Sequence, residues 1–187
     1  MENKILQEII TQSQNLGIFK ANIIDPKNIE TDRAFRDICA TNLCGMYGRC
    51  YMCPPDVGDI DVLREQLTTY DYAFIYQTVT EIEDSFDFEG MIEAKKESCS
   101  IALALRKTFL KIGISKALHL GAGGCGVCEK CAKQTGEPCH FPHLALPSLE
   151  AYGVNVSSLA KIADMNYTNG QNTVTFFGAV LFSIDGE

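Results

Sequence analysis

Cys125, Cys128 and Cys131 stand two residues apart in the run Gly-Ala-Gly-Gly-Cys-Gly-Val-Cys-Glu-Lys-Cys, and Cys139 follows eight positions after the third. This C-x2-C-x2-C-x7-C pattern forces the chain into a tight loop around something compact. Three thiolates at that pitch are how ferredoxin-type [4Fe–4S] cubanes are gripped, with a fourth Cys arriving from further along. A structural zinc more often takes two separated C-x2-C pairs, because a tetrahedral ion needs ligands from two directions. The spacing therefore points first to an iron–sulfur cluster, with zinc as the next alternative.

Gly121, Gly123, Gly124 and Gly126 surround the first of these thiols. Glycine permits left-handed turns and close backbone approach, and successive N–H groups form a concavity that favours negative charge. An all-thiolate cubane is an anion, so Gly123, Gly124 and Gly126 are the expected backbone contacts of the cofactor. The plain alternative is a Gly-rich turn that happens to carry cysteines.

A second set, Cys39, Cys44, Cys50 and Cys53, lies upstream at spacings of four, five and two residues and closes in Cys-Pro-Pro. Four thiolates here suit a second [4Fe–4S] cluster or an all-cysteine zinc site. A shared arrangement is also open: in two-cluster ferredoxins the Cys before Pro serves the other cluster. On that analogy Cys53 completes the site of Cys125, Cys128 and Cys131. Cys99 has no neighbour at ligand spacing and reads as a small buried hydrophobe.

His140 and His143 follow Cys139 as alternative metal ligands or donors to a cluster sulfur; the plainer reading is a pair of loop histidines. His119 reads as a core histidine in a strand. Arg49 and Arg106 are single cations with no motif around them. There is no Walker loop, no Rossmann pattern after the Gly-rich turn, and no serine-nucleophile motif.

The chain has 187 residues, so the expectation is one domain over 1–187, with metal-binding segments 39–55 and 121–143. An apolar fraction of 46% is ample for a core, and nine clustered cysteines, an odd number, do not read as a disulfide framework. No signal peptide or membrane-spanning run is visible, which places the chain in the cytoplasm. The net charge of −8 argues against nucleic acid. The acidic run 81–89 reads as a solvated loop, or as a surface that steers a basic redox partner.

Periodicity predicts helices over 3–15, 31–38, 60–69 and 90–112, with helical pieces at 148–151 and 157–165. Strands are predicted over 18–24, 72–79, 116–120 and 173–184, the last of them central. A helix joining strands 72–79 and 116–120 suggests a right-handed crossover with parallel pairing. The expected class is α/β (or α+β): a mixed sheet of about four strands with helices packed on it and two Cys-rich loops.

The blocks Cys-Gly-Met-Tyr-Gly-Arg-Cys-Tyr-Met-Cys-Pro-Pro (44–55) and Cys-Gly-Val-Cys-Glu-Lys-Cys-Ala…Cys139-His-Phe-Pro…Pro147-Ser-Leu-Glu-Ala-Tyr-Gly-Val (125–154) resemble a family of small predicted metal-binding proteins from anaerobic bacteria and archaea. The resemblance spans most of 36–156. It implies metal ligation by Cys39, Cys44 and Cys53 and by Cys125, Cys128, Cys131 and Cys139, and it places Cys50 where an aromatic residue is more usual. It carries no assigned reaction. The function expected is an iron–sulfur protein moving single electrons to or from a partner protein. The alternatives are a redox enzyme with substrate at an open cluster iron, and a zinc-stabilised interaction module.

Overall fold

The structure is a computed structural model described over residues 2–184; Met1 and residues 185–187, the ends of the expected domain, lie outside the described residues. The order is α1 (Glu2–Ser13), β1 (Lys20–Ile24), α2 (Arg33–Asp37), α3 (Ile60–Leu67), β2 (Tyr72–Glu81), α4 (Phe88–Lys111), β3 (Ala117–Leu120), α5 (Val156–Ile162) and β4 (Thr173–Phe182). The helix starts are chemically marked. Asp32, Asp59, Asp87 and Asn155 each accept a backbone N–H of the first turn of α2, α3, α4 and α5. Gly113, at φ +92°, turns the chain away after α4. Much of the acidic run 81–89 is used locally: Asp84 accepts from Phe86, and Asp87 from Glu83 and Gly90.

The four strands form one sheet in the order β1-β2-β4-β3, and every ladder is antiparallel. The fold class is the expected one, but the direct parallel pairing of β2 with β3 does not occur. Both strands are antiparallel to β4, so they do run the same way, as the crossover through α4 requires. β4 slots between them. It is ten residues long, like β2, and strongly apolar, and the inner position lets it bury both faces and pair on both edges.

Alternation along the strands divides the core in two. Phe74, Tyr76, Val180 and Phe182 face α1 and α4, together with Ile9, Leu105 and Phe109. Ala73, Ile75, Ala179 and Leu181 face α3, α5 and the 149–154 turn. The result is a sheet with helices on both faces. The Cys-rich excursion leaves the sheet at the end of β3 and returns to the same point. Gly121 donates to the carbonyl of Pro147 at 2.9 Å and accepts from Leu149 at 2.9 Å, which pinches its base closed.

Candidate metal centre

The pinched excursion and the 44–56 loop meet face to face. Cys50, Cys125, Cys128, Cys131 and Cys139 line one pocket, walled also by Tyr51, Val127, Phe141 and Ala145. The Cys50 thiol is fully buried, with the thiols of Cys53 and Cys131 as its neighbours. The backbone N–H of Leu146 donates to the Cys125 sulfur at 3.4 Å. All nine cysteines are free thiols.

A different pocket, of about 480 Å³, is lined by Cys39, Cys44 and Cys53. The partition of thiols thus differs from the grouping that chain order suggests. Cys50 turns to the downstream set, while Cys53, the residue expected to cross, stays with Cys39 and Cys44. A turn closed by Cys53 N–H to the Cys50 carbonyl at 3.0 Å leaves Cys50 bordering one pocket and Cys53 the other. The two sets still adjoin, because Cys50 and Cys53 touch across that turn.

Several contacts outside the cysteines hold the loops together, and none is signalled by a motif. Arg49 donates to Gln134 Oε1 at 3.0 Å, and the Tyr51 hydroxyl to the carbonyl of Glu137 at 2.7 Å. Lys133 pairs with Asp56 at 2.5 Å and lies 5.4 Å from the Tyr51 ring centroid. Pro54 and Pro55 are joined by a cis peptide, and the Pro54 carbonyl accepts from Gly48.

The glycines act mostly through their lack of a side chain. A Cβ on Gly121 would stand 2.9 Å from Leu146, on Gly124 2.9 Å from Met46, and on Gly126 3.1 Å from the Cys99 sulfur. Gly124 therefore lets the two Cys loops touch, and Gly126 lets the downstream loop lie on α4. Only Gly123 of this run takes a left-handed conformation, at φ +62°. Its N–H donates to Glu150 at 3.2 Å rather than toward a thiol. Cys99, buried, packs with Ala102 and Leu146 beneath Cys125 and Val127.

The electrostatics sort the thiols. In the Cys50–Cys53 pair the hydrogen bond from Cys53 holds Cys50 well below the usual thiol range and Cys53 above it. Backbone N–H groups of Met52 and Cys125 also favour the Cys50 thiolate. Burial raises Cys125 and Cys128. Burial also raises Cys39, helped by the negative charges of Glu150 and Cys44.

The histidines divide as well. His140 borders the five-thiol pocket but pairs with Glu137 at 3.3 Å. The carbonyl of His143 accepts from the half-buried Arg106 at 2.7 Å. His119 is a core residue packed edge-on to Phe109, and its Nδ1 has no partner. Burial, then Arg106, lower it to about 3.

Among the described residues, no group of three or more His, Cys, Asp or Glu side chains stands close enough to hold a single metal ion. The donors available are nonetheless mostly sulfur, with His140 at one pocket and Glu150 at the other. Both pockets offer sulfur, and such soft ligands select zinc, copper(I) or iron–sulfur centres over the hard cations. Fold and donor set together define a small α+β protein that presents clustered thiols from two touching loops. The chain belongs to the family described as "Predicted metal-binding protein (DUF2284)", which matches residues 22–182. No curated protein and no solved structure matches it. Among the described residues, no helix is long and apolar enough to cross a membrane.

Proposed function

We propose that this metal-binding protein is an iron–sulfur protein of the cytoplasm that passes single electrons to or from a partner protein. The observation that carries the reading is the pocket walled by five cysteines and apolar side chains. A [4Fe–4S] cluster would take four of Cys50, Cys125, Cys128, Cys131 and Cys139. Cys39, Cys44 and Cys53 would hold a second metal, a cluster or zinc. When bound, the cluster supplies a one-electron couple. The chain's own contribution is to favour the thiolate form of its ligands. The N–H groups of Met52 and Cys125 do this at Cys50, and that of Leu146 does so at Cys125. Phe141, 49% exposed, brings the wall of the pocket to the surface, where a partner can approach. The net charge of −8 favours a basic partner.

Anaerobic purification followed by an absorption spectrum and iron, zinc and sulfide assays tests this reading. Brown protein with broad absorption near ~400 nm and acid-labile sulfide is the expected result for a cysteine-held cluster. Colourless protein with stoichiometric zinc and no sulfide would overturn it.

A further inference from the structure

The pocket of about 480 Å³ beside the upstream thiols has apolar and aromatic walls, formed by Phe35, Ile38, Leu43, Tyr47, Val154 and Tyr167. Ile38, Leu43 and Tyr167 each leave more than half of their surface exposed, so the pocket opens to solvent. Its volume lies in the range of small-molecule sites, where apolar walls hold the body of a ligand and a few polar groups orient it. Among the described residues, its one acidic or basic side chain is Glu150. One carboxylate oxygen accepts from the Gly123 N–H at 3.2 Å, which holds the group in place. None of the ion pairs among the described residues involves Glu150. Arg36, whose charge also reaches Cys39, donates to the carbonyl of Gly58 at 2.7 Å and does not line the pocket.

Gly123, Glu150, Val156 and Tyr167 also line a second pocket, of about 390 Å³, beside the start of β4. Glu150 therefore stands where an apolar pocket adjoins one bordered by Thr168, Thr173 and Thr175. A ligand lying in the first pocket can place a polar head at this junction. The sign of its charge follows from the lining. An anion would meet the Glu150 carboxylate, whereas a cation would be attracted to it. Aromatic walls act in the same sense, because ring faces carry partial negative charge. We propose that this pocket binds a small organic amine, its apolar body against Phe35, Tyr47 and Tyr167 and its ammonium group donating to the Glu150 carboxylate. The binding is reversible and involves no covalent step, and it does not depend on what the cysteines hold.

The test is calorimetric titration of the full chain, as purified, with three probes of one shape and different charge: phenylpropylamine, phenylpropanol and phenylpropanoate. The amine should bind about tenfold tighter than the alcohol, the gain expected of a charge-assisted over a neutral hydrogen bond. The carboxylate should bind more weakly than the alcohol. Glu150→Gln retains an oxygen for the Gly123 N–H, so it should keep the alcohol's affinity and abolish the preference for the amine. Phe35→Ala, on the wall, should weaken amine and alcohol alike, each by about tenfold, through lost apolar contact. Failure of the amine to bind, equal affinity for amine and alcohol, or a Glu150→Gln variant that still prefers the amine would each overturn the proposal. Iron and sulfide content enters none of these outcomes, so this proposal and the electron-transfer reading fail separately.

Discussion

Replacing Gly121 with alanine should loosen the base of the cysteine-bearing excursion, and the size of the effect follows from the packing. The new Cβ would stand 2.9 Å from Leu146 Cδ2 and 3.3 Å from its Cγ. Leu146 is only 3% exposed, so it has little room to yield. Overpacking of this kind costs about 1–3 kcal/mol. The loss of glycine's freedom in the unfolded chain offsets about 0.4–1 kcal/mol. The clash wins, and the net destabilisation is about 1–2 kcal/mol, or roughly 2–8 °C in Tm for a chain of this size. Leu146→Ala alone should cost about 2–5 kcal/mol by leaving a cavity. In the double variant the alanine at 121 no longer meets a leucine, so its cost should fall below the sum by at least about 0.5 kcal/mol. Denaturant melts of the four proteins at matched metal loading measure this coupling. Leu146 also supplies the N–H that reaches the Cys125 sulfur. Gly121→Ala should therefore speed the reaction of metal-free protein with a thiol reagent. Additivity within ~0.3 kcal/mol, the scatter expected of independent sites, would refute the reasoning.

His119, lowered to about 3 by burial, stays neutral in the fold but binds a proton in the unfolded chain below its ordinary value near 6.5. Its contribution to stability is thus complete above pH ~6.5 and is lost as pH falls from there toward ~3, at up to about 1.4 kcal/mol per pH unit. His119→Leu should flatten that slope in urea melts taken between pH 4.5 and 7; an unchanged slope would contradict the assignment. Gly153 has φ +69°, and a Cβ there would stand 2.6 Å from the carbonyl oxygen of Asp32. Gly153→Ala should therefore cost at least about 1–2 kcal/mol, read as a Tm drop, and a neutral effect would show the site to be slack. Cys50→Ser should lower the metal bound at the five-thiol pocket, whereas Cys99→Ala should leave metal content intact; equal losses in elemental analysis would mean the ligand set is misassigned. Phe109→Ala removes a buried ring with partners at 5.2 to 5.9 Å and should cost about 3–5 kcal/mol, visible by calorimetry.

Local physics was legible before any tertiary contact was known. The apolar periodicity of 60–69 and 90–112 acts within a few residues, so α3 and α4 could be placed from the chain alone, the start of α4 falling at Phe88, just after its cap Asp87. The apolar run of β4 announced a central strand, because only a strand with neighbours on both edges and both faces can bury it. The pitch of Cys125, Cys128 and Cys131 announced a thiol-lined loop for the same local reason. The tertiary structure alone decided what these pieces meet. Strand order depends on which edge β4 finds free, and chain order does not encode that choice; β4 therefore separates β2 from β3. The partition of Cys50 from Cys53 depends on the face each presents when the 44–56 loop docks on the 125–139 loop. That docking is set by Gly124 against Met46, Arg49 against Gln134 and Lys133 against Asp56, contacts spanning roughly eighty residues of chain. Spacing between cysteines records only how far apart they lie along the chain. Which thiols share a pocket is settled by contacts between distant segments, and these exist only once the sheet has brought the two loops together.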